Sequence, residues 1–484
     1  MKISSRYTSL LLPAAAVCAF AASAFLIIDS GLLGRKTTGS FEYIRKGEAL
    51  MDKGKYLDAI GYHETAHASS PDNAEIASAL VYAYSKYAMK AAESEKYDLG
   101  IEYMSKAYDT AVSAYTKQNL SLMYAKRAAY RARNSDRAGA QGDLDTAVEI
   151  ADGSAVCGKN LGIALFNDAV EEFKAAREDN AIMLVRAALS VYGDSRIYEF
   201  LGDIYYRKTD LGKAGEYFGK AAKLDPGNKK LAGKSEKVSK EEALSGKEKA
   251  SVIANFDLRY TKGLPVDPFV TARILEKAFS DVGGDLAYFP GTRTVVFFYS
   301  EKDFREIFKM RDLVRAFYDG NIRIPLPAPI ADEKELVSYL YHEYTHAIVS
   351  AKTNNNCPVW LSEGIAVYEE FKWTRPGAAV NIPADVKIPE ISIQELDKMF
   401  KDPAISSDKL VLAYMLAYTL VDYISYSWGM RKLDKALGAI ALGAHAVNAM
   451  DDEFLLSEKE FDRKWSDFVM EKYVKKRRLE QNNG

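Results

Sequence analysis

Cysteine and histidine are both scarce in this chain of 484 residues, with three of the first and five of the second. Cys18, Cys157 and Cys357 are too few for a disulfide framework or a cysteine-rich zinc site. An excess of either charge is also missing. The 65 basic side chains nearly cancel the 67 acidic ones, for a net charge of −2. Composition therefore gives no electrostatic case for a nucleic-acid partner. With 48% hydrophobic and 27% charged residues, a mostly disordered chain is excluded too. The length suits two or three domains. Of the five histidines, four fall in two His-Glu-x-x-His pentads, His63 to His67 and His342 to His346.

The N-terminus has targeting character. Lys2 and Arg6 precede an uncharged run of 19 residues from Leu10 to Ile28, close to the roughly 20 that cross a bilayer as a helix. Ala22-Ser23-Ala24 offers a signal-peptide cleavage site, whereas Phe25 to Ile28 continues the apolar run past it. Residues 1–40 thus read as a signal or anchor segment, with the uncleaved anchor favoured and membrane contact expected through it. The rest of the chain is expected on the exported side. Cys157 and Cys357 are expected as buried free thiols.

Residues 41–228 read as helix after helix. Tyr43, Gly47, Leu50, Ala59, His63, Ala66 and Pro71 recur as Tyr198, Gly202, Tyr205, Ala214, Phe218, Ala221 and Pro226, each pair offset by 155 residues. Both segments close with Pro-x-Asn, at Asn73 and Asn228. Small residues let paired helices approach, aromatics fill the seam, and proline stops the second helix. The pattern resembles the tetratricopeptide repeat, with about five helix pairs, three of them near 74–114, 115–151 and 154–192. The resemblance implies an all-α solenoid that binds a protein partner. His63 stands where the last repeat has Phe218, so the first pentad reads as packing rather than a metal site. Residues 229–250, rich in Lys and Glu, read as a charged linker.

The second half, residues 251–484, changes character. Asn255 to Tyr260, part of Thr294 to Tyr299, and Asn321 to Leu326 alternate with period two, and Pro325 suits an edge strand. Val270 to Val282 has helical spacing, and Glu333 to Val349 reads as one helix carrying the second pentad. Residues four apart share a helix face, so His342 and His346 can offer two nitrogens to one metal ion, with Glu343 beside its open position. Glu363 follows His346 by 17 residues, on a helix that starts near Pro358. Gly364 and Ala366 would let that helix approach the pentad helix.

These residues resemble the gluzincin metallopeptidases, in particular bacterial peptidase MA-like domains with His-Glu-x-x-His and Trp-Leu-x-Glu-Gly-x-Ala signatures (here Trp360 to Ala366). The resemblance implies an α+β, thermolysin-like metallopeptidase domain after the all-α array. It implies Zn2+ held by His342, His346 and Glu363, with Glu343 as general base. It implies Tyr418, with Tyr414 as runner-up, as oxyanion donor. The strand over 321–326 would pair with an extended peptide substrate. Thermolysin's ligand-orienting acid would fall at Val367, which leaves that role unassigned. The expected protein is an exported, membrane-tethered zinc metallopeptidase of the bacterial cell envelope, periplasmic if the signal is cleaved. The alternative is a repeat-based binding scaffold with a metal-bound but weakly active domain.

Overall fold

The computed structural model describes residues 38–246, 248–309, 316–326, 333–375 and 392–475. The expected signal or anchor run lies outside the described residues. The array consists of five helix pairs: α1 (Thr38–Met51) with α2 (Tyr56–Ser69), α3 (Ala74–Glu93) with α4 (Tyr97–Thr110), α5 (Ala114–Arg133) with α6 (Arg137–Ala151), α7 (Ala155–Lys174) with α8 (Glu178–Val191), and α9 (Ser195–Arg207) with α10 (Leu211–Leu224). The middle pairs begin with 20-residue helices, against 14 in α1 and 13 in α9. The extra turns are why a 34-residue register read from the ends fails between them.

The repeat signature has a direct packing cause. A Cβ added to Gly47 would lie 2.6 Å from His63 Nε2, and one added to Gly202 would lie 2.7 Å from the Phe218 ring. Each glycine is the floor on which the seam ring of the second helix rests, and His63 and Phe218 are equivalents. The asparagine of each Pro-x-Asn caps the next helix. Asn73 Oδ1 accepts from the backbone N–H groups of Glu75 and Ile76, and Asn228 Oδ1 from those of Lys230 and Leu231. Buried Glu172 is held by Arg133, Arg177 and Asn180. Cys157 and Cys357 are buried and form no disulfide with each other.

The stretch read as a linker is structured. Helix α11 (Lys229–Ser245) buries Leu231, Val238 and Glu241, and β1 (Glu248–Ile253) follows. Among the described residues, 205–215 and those from 233 form one compact unit, and 38–204 with 216–232 form the other. The division falls inside the last helix pair, earlier than the expected start at residue 251.

In the second unit, β1, β2 (Phe256–Thr261), α12 (Pro268–Asp285), β3 (Thr294–Ser300), α13 (Glu301–Phe308), β4 (Phe317–Tyr318) and β5 (Ile322–Leu326) follow one another. The sheet order is β1-β2-β3-β5-β4, with β2, β3 and β5 parallel and β1 and β4 antiparallel to their neighbours. The strand over 321–326 is therefore not the edge; the two-residue β4 takes that place. Period-two alternation sends Val296 and Phe298 into the main core with Leu275, Leu340 and Ile348. Phe297 and Tyr299 point the other way, into a cluster with Phe304 and Ile307. Among the described residues, seven α-helices follow: α14 (Glu333–Lys352), α15 (Val359–Thr374), α16 (Ile393–Lys401), α17 (Ser407–Trp428), α18 (Met430–Ala441), α19 (Ala446–Phe454) and α20 (Glu458–Val469). By length and composition, α17 is the one described helix apolar enough to cross a bilayer, and half of that apolar stretch is buried inside the protein.

His63 yields a pH prediction. Burial pulls its pKa down to about 4 from 6.5, and neither ring nitrogen has a hydrogen-bond partner. Above pH 6.5 the ring is neutral in both folded and unfolded chains. Between 6.5 and 4 the unfolded chain binds a proton that the folded one excludes, so stability falls as pH falls, by on the order of 3 kcal/mol. His63→Phe should raise the unfolding temperature of the array and flatten this pH dependence. Equal pH profiles for wild type and variant in thermal unfolding would contradict the packing role.

Candidate metal centre

The pentad helix is oriented by its apolar residues. Leu340, Tyr341, Tyr344 and Ile348 of α14 lie in the core, and the Tyr344 ring packs 5.3 Å from that of Phe256. This turns His342, Glu343 and His346 toward a cleft of about 350 Å³. In α15, Trp360 and Leu361 are buried, and the next two residues, Ser362 and Glu363, face the same cleft. Gly364 has a different use from the one expected. A Cβ there would lie 2.5 Å from the carbonyl oxygen of Ala417. It therefore seats α15 against α17, not against α14.

His342 Nε2 and His346 Nε2 lie 3.5 and 3.2 Å from Glu363 Oε2. Glu363 Oε2 nevertheless has no hydrogen-bond partner of good geometry. Distance without alignment fits three donor atoms aimed at a shared point rather than at one another. A tetrahedral ion with bonds of about 2.0–2.1 Å keeps its ligand atoms about 3.3–3.4 Å apart. The observed spacings bracket that edge length, so the donor set fits a divalent cation. Among the described residues, this is the one His, Cys, Asp and Glu group close enough to share an ion. The first pentad does not form one.

The second nitrogen of each ring is already engaged. His342 Nδ1 lies 3.1 Å from Glu370 Oε2, and His346 Nδ1 lies 2.9 Å from Ser362 Oγ. Ser338 Oγ donates to Glu370 Oε1 at 2.6 Å. A protonated Nδ1 on His342 donating to Glu370 leaves its Nε2 lone pair for a metal. Glu370 thus stands behind His342, where Val367 offers no acid. It lies seven residues after Glu363, two helical turns on the same face, so a search at four residues misses it.

Electrostatics follow from crowding of carboxylates. Burial pushes the Glu343 carboxyl up, the two histidines pull it down, and Glu363 and Glu370 add to the rise. Glu343 is 5% exposed and its Oε2 is unpartnered, which suits a group that exchanges protons. Burial also opposes ionisation of Glu363, but His346 and His342 outweigh it and hold that carboxyl well below the usual range. For His342, burial disfavours the charged ring, yet Glu363 and Glu370 raise its pKa well above 6.5.

The two candidate tyrosines stand at different places relative to the cleft. Tyr418 does not line the cleft; its ring sits among Tyr368, Phe371 and Tyr473. Tyr414, one turn earlier on α17, lines the cleft. The charge of Glu363, then burial and Glu343, pushes its hydroxyl well above 10, so it stays a proton donor. The 316–320 segment forms another part of the cleft lining, so the cleft strand is β4 and its turn.

Residues 329–471 match the Peptidase MA superfamily. The Peptidase MA segment contains α14, α15 and α17, and with them every residue of the centre. Among solved structures, the chain is similar to a thermophilic TPR protein of Thermus thermophilus at 16% identity, over 41% of this chain and 98% of that one, with a TM-score of 0.20. It is also similar to the P58(IPK) TPR domain at 12% identity, over 90% of this chain and 100% of that one, with a TM-score of 0.20. The repeat reading rests on the helix pairs and their glycine seams, not on these scores. No curated protein matches the chain.

Glu370 gives the test of the geometry. Glu370→Ala should weaken divalent-metal affinity about 10–100-fold in chelator competition with Zn2+, and Glu370→Gln less. Unchanged affinity in Glu370→Ala would remove it from the centre.

Proposed function

We propose that this chain is a zinc metallopeptidase of gluzincin type, exported and tethered by its N-terminal segment, whose repeat array recruits a substrate or partner protein. The observation that carries this reading is the convergence of His342, His346 and Glu363 beside Glu343, inside the Peptidase MA segment. Two imidazoles and a carboxylate suit zinc and leave one position open. A thermolysin-like arrangement of the domain belongs to the same proposal. So does a location on the exported side of a bacterial inner membrane, or in the periplasm after cleavage, for which residues 1–40 are the support.

When bound, zinc would supply Lewis acidity toward the scissile carbonyl and a lowered pKa for water. The side chains would do the rest. Glu343 would accept a proton from the attacking water and return it to the departing amine. Burial raises its carboxyl above the ordinary carboxylate range, which favours taking up a proton. Tyr414 would donate a hydrogen bond to the oxygen that gains charge as the carbonyl is attacked. Glu370 and Ser362 would hold the two rings in place while the proton moves. The β4 edge would take the extended peptide backbone.

The test compares full-length protein with Glu343→Ala and Tyr414→Phe on a broad peptide library. Wild type should cleave, Glu343→Ala should be inert, and Tyr414→Phe should lose about 10²–10³ in kcat. Tyr418→Phe should stay near wild type. Stoichiometric zinc with wild type and Glu343→Ala equally inert would favour the scaffold alternative.

A further inference from the structure

Part of the cleft wall comes from outside the Peptidase MA segment. Phe317, Tyr318, Asp319 and Gly320 line the cleft, and all precede residue 329. On the metal side, α14 lines it from His342 to Thr353, about 16 Å of helix. That is the reach of about five extended residues, yet β4 offers an edge only two residues long. So short an edge can take a peptide backbone only if it is held still. We propose that Asp319 is a positioning residue for the substrate: clamped by Arg323 of β5 and Lys237 of α11, it fixes the β4 edge along which an extended peptide lies. Recognition at β4 is then by backbone and not by side-chain charge. This rests on the peptidase reading above.

Three sets of contacts make the clamp. First, Arg323 Nε donates to Asp319 Oδ1 and Oδ2, both at 3.0 Å, and Lys237 Nζ donates to Oδ2 at 3.1 Å. Burial opposes ionisation of Asp319, but Arg323 and Lys237 outweigh it and hold its pKa down at about 2. The carboxylate stays charged at neutral pH, and both of its oxygens are engaged inside the protein. Second, each cation is fixed in turn. Arg323 is 1% exposed and donates to Glu241 and Tyr299. Its guanidinium lies 4.9, 4.8 and 5.3 Å from the rings of Tyr206, Phe297 and Phe308. Lys237 Nζ lies 4.4 Å from the Tyr206 ring and 5.8 Å from that of Phe317, a β4 residue of the cleft. Third, the backbone closes the turn. The Asp319 N–H donates to the Asn321 carbonyl at 3.1 Å, and Phe317 and Tyr318 pair with Arg323 and Ile322. Gly320 has φ +110°, a conformation that side chains rarely adopt.

Stability alone is a poor account of this arrangement. Buried ion pairs add little net stability, and apolar side chains of similar volume often serve a fold as well. What charge-assisted hydrogen bonds add is direction, because they fix an angle as well as a distance. The turn fixed here continues directly from an edge that lines the cleft. Small errors in the placement of a bound substrate are costly to rate. Lys237 thereby gives α11, the stretch that reads as a charged linker, a part in holding substrate.

The experiment uses alanine-rich octapeptides, plain or with one backbone amide N-methylated at each position in turn. Equilibrium binding is measured with zinc-loaded, full-length Glu343→Gln, and KM and kcat with the full-length wild type. Methylation at one or two positions should weaken binding about 3–10-fold, the worth of a lost backbone hydrogen bond. Adding Asp319→Asn should weaken binding of the plain peptide about tenfold and flatten the methylation scan. In the active enzyme the same change should raise KM more than it lowers kcat. Lys237→Ala should act in the same direction, and Lys237→Arg should keep the scan. Zinc stoichiometry and thermal unfolding check that each variant has folded, and Lys237→Ala decides the matter if Asp319→Asn has not. No binding by Glu343→Gln, a flat scan before Asp319 is changed, or the same scan in the folded variants overturns the proposal. The expected scans without hydrolysis by the wild type would sink the peptidase reading alone.

Discussion

Two imidazole nitrogens and one carboxylate oxygen held 3.2 and 3.5 Å apart are the constraint on which the rest of the second unit depends. Such groups are costly to collect where water is scarce. Both rings are therefore braced from behind. Glu370 and Ser362 occupy the far nitrogens of the two rings, and Ser338 fixes Glu370 in turn. Gly364 lets α17 come close enough to bring Tyr414 to the same cleft. The core face of α14, through Tyr344 and Ile348, sets the rotation of the whole helix.

A second buried group fixes the opposite wall. Arg323 is 1% exposed and meets Glu241, which lies 82 residues earlier. Buried ion pairs add little net stability, but removing one partner is costly, about 3–5 kcal/mol. Glu241 therefore belongs to the sheet unit as firmly as any strand residue. This is the physical reason that the charged stretch after the repeats is not a free tether. The unit that holds the candidate centre starts within the last helix pair, so a fragment cut at residue 251 would leave Arg323 without Glu241.

Much of this was legible in the sequence, because local geometry carries it. The helix pairs follow from the spacing of glycine, alanine and aromatic residues, and Asn73 and Asn228 mark helix starts by their own side chains. His342, His346 and Glu363 follow from helix periodicity plus one turn. What escaped depends on distance through space. Periodicity places Tyr414 and Tyr418 on one face of α17 but does not say which turn reaches the cleft. Glu370 sits two turns beyond Glu363, where only the approach of α14 shows its use. β4 is two residues long and carries no alternation to read. β1 hides in a lysine-rich stretch, and the bond between Glu241 and Arg323 has no local signal at all.

The account turns on whether the second pentad and Glu363 share one ion. X-ray absorption of the full-length protein loaded with Zn2+ tests this directly. The predicted result is one zinc per chain, in a shell of nitrogen and oxygen at about 2.0–2.2 Å with imidazole scattering, lost in His346→Ala and kept in His67→Ala. A sulfur ligand, or zinc retained in His346→Ala and lost in His67→Ala, would contradict it.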